Sequence, residues 1–142
     1  MVDVNRWKQQ NIAVIAEFRA NGGVVGGRYA GRPMMLLTTT GAKSGEERIT
    51  PLNYSADGTR IVVIASRGGA PTHPDWYRNL VANPEVTVEV GTDRYRARAS
   101  TAREPERTRL FDQQAALMPF FDEYRKQVTA REIPVVVFER LG

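Results

Sequence analysis

Apolar residues recur at helical spacing near the start of the chain. Val4, Trp7, Val14, Ile15 and Phe18 fall on one side, while Arg6, Lys8, Gln9, Gln10 and Arg19 lie elsewhere. That spacing predicts an amphipathic helix over 3–20. Asn21-Gly22-Gly23 ends it, because glycine readily takes the left-handed conformation that terminates helices. Residues 22–33 hold five glycines and one proline and predict a loop. The pattern then shortens. Apolar and β-branched runs at 34–40, 49–55, 60–66, 86–90, 95–99 and 135–138 predict six strands. Ala56-Asp57-Gly58-Thr59 predicts a hairpin turn between two of them, and Gly91-Thr92-Asp93 predicts another. A short helix is predicted over 73–82: Pro74 suits its first turn, Asp75 its positive end, and Asn83-Pro84 stops it. Helix returns over 105–129, and Pro119 splits it because an interior proline breaks the hydrogen-bond ladder.

Strands joined by short turns predict a mostly antiparallel sheet, and six of them around one core predict a small barrel. The expected fold class is α+β, mainly β, with flanking helices that include the N-terminal amphipathic one. One domain is expected over 1–142, with the helix of 1–22 as the segment able to move against it.

Composition narrows the chemistry. At 142 residues the chain can bury roughly 65–70% of its unfolded surface in one core. It has no cysteine and one histidine, His73. Thiolate nucleophiles, Cys-ligated zinc and multi-histidine metal sites are therefore excluded. No run approaches the ~20 apolar residues of a membrane span, and no signal-peptide pattern opens the chain. The expectation is a cytoplasmic protein whose N-terminal helix packs on the core, with peripheral membrane contact as that helix's rival role. Of the 20 basic residues only Lys8, Lys43 and Lys126 are lysine. A net charge of +4, carried mostly by arginine, suits a carboxylate- or phosphate-bearing partner as well as a solvated surface.

Three segments stand out. Thr38-Thr39-Thr40-Gly41-Ala42-Lys43-Ser44-Gly45 leads from a strand end into a glycine-bounded loop, followed by Arg48. Such a loop can present backbone N–H groups to an anion, yet it is no Walker A loop, since Ala42 precedes Lys43 and no helix follows. Ala65-Ser66-Arg67-Gly68-Gly69 ends another strand, adding a cation and glycines that admit close approach to the backbone. A Ser66–His73–Asp75 triad lacks the nucleophile elbow. His73-Pro74-Asp75-Trp76-Tyr77-Arg78-Asn79-Leu80 supplies a flat aromatic and an amide one turn apart. Read singly, these are a basic turn, a glycine-rich loop and a packed helix. Together they suit a ligand with a polyanionic tail and a planar head.

The run TTTGAKSG…R-x-T-P-L, then ASRGG, then HPDWYRNLxANP, with the closing Ile133-Pro134-Val135-Val136-Val137, resembles the deazaflavin (F-420)-dependent nitroreductase family of actinobacteria over essentially the whole chain. The resemblance implies a split β-barrel and a groove for coenzyme F-420, an 8-hydroxy-5-deazaflavin. It implies that Lys43, Arg48, Arg67 and Gly68 hold the phosphate and polyglutamate tail. The ring would lie against Pro51, Leu52, Ala65 and Ser66, bounded by Trp76 and Asn79. On the acceptor side, Met118 and Phe121 stand where family members carry pocket tyrosines, Tyr124 is retained, and Asn53 replaces a further tyrosine. Ser66 and Tyr124 are the candidate catalytic residues. Phenylalanine cannot donate a hydrogen bond, so the expected acceptors are quinones and unsaturated carbonyls rather than nitroimidazoles. Alternatives are an FMN-dependent oxidoreductase and a deazaflavin-sequestering protein. Nucleic-acid binding through Arg94-Tyr95-Arg96-Ala97-Arg98 is not expected, because alternating arginines read as a solvated strand face. A monomer or homodimer fits equally.

Overall fold

The computed structural model describes residues 4–142, with residues 4–8 described by their backbone alone. Asp3 and the side chains of Val4, Arg6, Trp7 and Lys8, all part of the predicted amphipathic pattern, lie outside the described residues. The first helix, α1, runs Val4–Ala20. It closes as expected: the Asn21 amide donates to the Glu17 carbonyl (3.0 Å) and the Gly23 amide to Phe18 (2.8 Å), with Gly22 at φ 61°.

Seven strands form one sheet, all pairs antiparallel: β1 Met34–Thr40, β2 Glu47–Asn53, β3 Ser55–Asp57, β4 Arg60–Ile64, β5 Glu85–Val90, β6 Asp93–Thr101 and β7 Val135–Arg140. Helices α2 (Asp75–Ala82), α3 (Glu106–Leu117) and α4 (Phe120–Gln127) complete the described elements. Pro119 does separate α3 from α4, at the N-terminal boundary of α4. Both hairpins close through two-residue loops, Asp57↔Arg60 and Val90↔Asp93. Gly58 (φ 63°) and Gly91 (φ 58°) adopt the backbone such loops require.

The expected count of six strands is corrected to seven. The run 49–55 is two strands, not one, because the chain changes partner at Tyr54. Residues up to Asn53 pair with β1, whereas Ser55 onward pairs with β4. The Tyr54 amide, released from both ladders, donates to the Pro33 carbonyl (3.2 Å). The spatial order is β2-β1-β5-β6-β7-β4-β3. The two edge strands are thus separated by one residue of sequence, so the sheet curls until its edges meet at Tyr54.

The curled sheet makes three buried layers. Alternate residues such as Met35, Leu37, Ile61, Val63, Val86 and Val136 point inward, and α2 adds Trp76 and Leu80 to that core. Outward-facing Val62, Ile64, Val135 and Val137 are covered by Leu110, Phe111, Met118 and Phe121 of the α3–α4 segment. Met34 and Leu36 face the other way, onto Phe18, with Val14 and Ile15 against them. This explains the unbroken apolar runs of β1 and β4: both faces are buried. The described apolar residues of α1 are largely engaged by the sheet, although Ile12 remains 65% exposed. Arg19 also bridges both carboxylate oxygens of buried Glu89 on β5, at 3.1 and 2.9 Å. No described helix is long and apolar enough to cross a membrane.

Candidate active site

Strand directions bring the three motif segments to one end of the sheet. β1 and β4 finish there, β2 begins there, and α2 lies across the opening. The loop after β1 folds on itself: the Gly41 amide donates to the Glu46 carbonyl (2.7 Å) and the Gly45 amide to Gly41 (3.0 Å). Asn79 of α2 holds this loop from the side. Its Oδ1 accepts from the Ala42 amide at 3.0 Å, and Nδ2 donates weakly to Thr39 Oγ1 at 3.5 Å. Asn83 adds a bond from Nδ2 to the Thr40 carbonyl (3.4 Å). Thus Asn79 braces the loop that carries Lys43. Trp76 is 8% exposed and packs in the inner core.

The loop after β4 turns sharply. Arg67 takes φ 50°, unusual for a side-chain-bearing residue, and Gly68 and Gly69 follow at 62° and 85°. A residue the sequence reading missed holds this turn. Arg131 donates to three of its carbonyls: Ala65 (3.2 Å), Ser66 (3.0 Å) and Ala70 (3.0 Å). Arg131 also lies 3.0 Å from His73 Nδ1. A guanidinium can only donate, so Nδ1 accepts and the imidazole proton sits on Nε2. Burial, then the charges of Arg131 and Arg78, hold His73 below the usual histidine range. Burial and the nearby Arg67 likewise lower Arg131. Arg131 stands between the last helix and Ile133-Pro134 with no periodicity around it, so the chain offers no local signal of its role.

Between β2 and the end of β4 lies a cleft. Extending the β3–β4 register backward would set Leu52 opposite Ala65 and Pro51 opposite Ser66. That pairing does not form, because β2 departs to β1 at Tyr54. The two strands therefore do not pair across the cleft; Pro51 and Leu52 are half-buried and Ala65 and Ser66 buried, while the Ala65 amide donates to Pro134 and the Ala65 and Ser66 carbonyls are taken by Arg131. The cleft is closed at Tyr54 and open towards Arg48 and Arg67. Lys43, Arg48 and Arg67 are exposed there. Among the described residues neither Lys43 nor Arg67 has a carboxylate partner, and Arg48 has one weak pair, with Glu46 at 3.5 Å. Several arginines elsewhere differ: Arg19, Arg60, Arg107, Arg109 and Arg125 are each held by carboxylates.

Helix α4 borders the cleft. Tyr124 and Gln127 crowd Gly69, where an added Cβ would come within 3.2 Å of both side chains. Phe120 meets Tyr124 edge-on (ring centroids 5.7 Å) and packs tilted against Phe121 (4.6 Å). Phe120 and Tyr124 are half-buried, whereas Met118 and Phe121 are each 4% exposed and belong to the outer core. Asn53 Oδ1 is buried without a partner near the closed end. A separate concavity of about 650 Å³, lined by Arg60, Val90, Tyr95 and Arg140, lies at the far end of the sheet, away from the three motif segments. Among the described residues no cluster of acidic, histidine or cysteine side chains could hold a metal ion.

Strands that stay apart, exposed cations at the mouth of which Lys43 and Arg67 lack carboxylate partners (Arg67 donates to Thr72 Oγ1), and an aromatic wall fit a long anion with a planar head. Comparison with known proteins agrees. The family model for F420H(2)-dependent quinone reductase matches residues 11–140. An F420H(2)-dependent quinone reductase of Mycobacterium tuberculosis is 36% identical, the alignment covering 98% of this chain and 99% of that protein. The solved structure of an F420-H2 dependent reductase (FDR-A) is 38% identical, covers 76% of this chain and 95% of its own, and superposes with a TM-score of 0.70. Another solved structure, described as a domain-swapped dimer, is 33% identical, with 96% and 100% coverage and a TM-score of 0.72.

Proposed function

Because the chain belongs to the F420H(2)-dependent quinone reductase family, and so is an F-420-dependent oxidoreductase, we propose that its split-barrel cleft between β2 and β4 is where coenzyme and acceptor meet, and that a quinone or unsaturated carbonyl is the acceptor. The observation that carries this reading is the convergence of three motif segments on one end of the sheet, with Lys43 and Arg67 left without carboxylate partners. When bound, the reduced deazaflavin supplies a hydride; the chain's own residues bind, orient and shield.

Lys43, Arg48 and Arg67 hold the phosphate and carboxylates of the tail, with Gly68 leaving open space beside them. The strand edges at Pro51, Leu52, Ala65 and Ser66 receive the ring. Asn79 positions the Lys43 loop and Trp76 backs the site from the core. Ser66 and Tyr124 offer hydroxyls to the acceptor. Met118, Phe121 and Asn53 shape its end of the pocket, and the buried Met118 and Phe121 do so from behind Phe120 and Tyr124. No side-chain nucleophile or metal is required, since the coenzyme carries the difficult chemistry.

The test is a titration of the protein with F-420 and separately with FMN, followed by tryptophan quenching and checked by equilibrium dialysis. Charge-assisted contacts are worth ~1.5–3 kcal/mol each, so Lys43→Ala and Arg67→Ala should each weaken F-420 binding by about tenfold or more. FMN, with one phosphate, should bind far more weakly and respond less. Equal affinity for the two, or indifference to both substitutions, would refute the tail site.

A further inference from the structure

Arg32 precedes Pro33, whose carbonyl receives the Tyr54 amide at the closed end of the cleft. Its guanidinium carbon lies 4.4 Å from the centroid of the Phe120 ring. Phe120 meets Tyr124 edge-on, and Tyr124 reaches Gly69 in the loop after Ser66. Helix α4 therefore runs along the cleft, with Arg32 at one end and Arg67 at the other. Arg32 is half-buried and has no carboxylate within reach among the described residues. A cation held over an aromatic face keeps its in-plane N–H donors free, because the stacking uses only its flat side.

A second, independent observation points to a polar ligand atom there. Asn53 pairs across the ladder with Met34, two residues beyond Arg32. Asn53 Oδ1 is buried without a partner, and so is Gln114 Nε2. Gln114 Oε1 accepts from Ser55 Oγ (2.9 Å), just past the Tyr54 corner. One unmet acceptor, one unmet donor and one uncommitted cation thus collect around the closed end. Buried polar atoms without partners are costly and uncommon in native proteins.

We infer that Arg32 forms the site for the acceptor's oxygen, at the end of the cleft opposite the tail-binding cations, with Asn53 Oδ1 placed to accept from a hydroxyl of the reduced product. This rests on the reading of the cleft above. Hydride addition to a quinone delivers two electrons and one proton, leaving one oxygen as hydroxyl and the other as phenolate. A proton from solvent then completes the hydroquinone. Arg32 donates to the oxygen on which negative charge grows, so its contribution increases from bound quinone to transition state. Acceptors with a carbonyl oxygen at the ring edge are favoured, and ionised hydroxyquinones bind directly.

The experiment uses an ionised hydroxynaphthoquinone as probe, titrated calorimetrically into protein carrying oxidised F-420, beside steady-state quinone reduction. Arg32→Met keeps an apolar stem over Phe120 and removes the charge; Arg32→Lys keeps the charge. Arg32→Met should weaken anion binding about tenfold or more, the equivalent of losing one charge-assisted bond. It should lower kcat for quinone more than it raises KM, with F-420 affinity and Tm unchanged. Arg32→Lys should recover most of the anion affinity. Anion binding to Arg32→Met at wild-type strength would overturn the inference, as would a variant whose defect lies in F-420 affinity instead. Wild-type protein that binds the naphthoquinone anion in an Arg32-dependent way but not F-420 would fail the coenzyme reading and leave this one standing.

Discussion

Arg131→Ala is the perturbation that probes the coenzyme half of the site most directly. In the folded protein its guanidinium donates to the carbonyls of Ala65, Ser66 and Ala70 at 3.0–3.2 Å. Hydrogen bonds from a charged donor contribute ~1.5–3 kcal/mol each when intact. Arg131 is half-exposed, and water can replace part of what it supplies, so a net loss of roughly 3 kcal/mol for the three bonds is reasonable. For a domain near this size, that lowers Tm by roughly 6–12 °C. The loop feels a second effect. Arg67 sits at φ 50°, a conformation that costs a non-glycine residue ~1–2 kcal/mol. Without Arg131 the turn keeps only its own bonds, Gly69 to the Ser66 carbonyl, Ala70 to the Arg67 carbonyl and Arg67 to Thr72, and relaxed loop conformers become several-fold more populated than the binding one. Apparent affinity falls by the fraction that stays competent, so F-420 should bind about five- to tenfold more weakly. Arg131→Lys separates geometry from charge, because an ammonium cannot reach three carbonyls in the fixed fork of a guanidinium. It should behave nearly like alanine. The assays are a thermal melt and an F-420 titration on the same preparations. If Arg131→Ala melted like wild type and bound F-420 within twofold, the latch would be wrong.

His73 has a depressed pKa, so the folded state favours the neutral ring. Its stability contribution is present above the unfolded value of ~6.5 and is lost as pH falls below it towards the folded value. Protonation would also set two cations against each other at the Arg131 contact, so F-420 affinity should fall at the lower end of that range, around the folded value, and His73→Asn should flatten that dependence. Arg19→Ala leaves the 7%-exposed carboxylate of Glu89 without its partner. Because Arg19 is itself 44% exposed, the expected loss is discounted to about 1–2 kcal/mol, read as a lower Tm with unchanged F-420 affinity. With phenylalanine at 121, coenzyme oxidation should run faster with a quinone than with a nitroimidazole, and clearly faster nitro reduction would reverse the acceptor assignment.

The parts of this molecule that were legible in the chain are those set by local physics. Asp57-Gly58 and Gly91 mark hairpins because their backbone conformations are short-range requirements. Pro119 divides α3 from α4 because it lacks an amide proton. The inward and outward alternation of β6 follows from the pleat. What escaped depends on contacts between distant residues. Nothing in Leu52-Asn53-Tyr54-Ser55 distinguishes one strand from two, since the change of partner is dictated by β1 and β4. Arg131 lies 65 residues from the Ser66 carbonyl it binds. Arg32 reads as part of a glycine-rich loop until Phe120 is seen beneath it. That Lys43, Arg48 and Arg67 share one end of the sheet could be anticipated, because each lies in or beside a loop that follows a strand.

The same partner change that hid the seventh strand also makes the site. Were β2 to continue alongside β4, Leu52 would pair with Ala65 and Pro51 with Ser66, and their edges would be consumed by the sheet. Pro51 resists that outcome, because it has no amide to give a ladder. The Tyr54 amide is instead satisfied by Pro33, which draws the loop of Arg32 to the corner. One bond therefore both opens the cleft and brings a cation to its closed end. At the open end, Arg131 and Asn79 each anchor one of the two loops that carry Arg67 and Lys43. The rigid parts of the fold are thus placed where the backbone must stay unpaired, and the uncommitted charges stand at the two extremities between which the ring would lie. A groove built this way requires little of its side chains beyond charge and shape, which accords with a chain that has no cysteine and a single histidine.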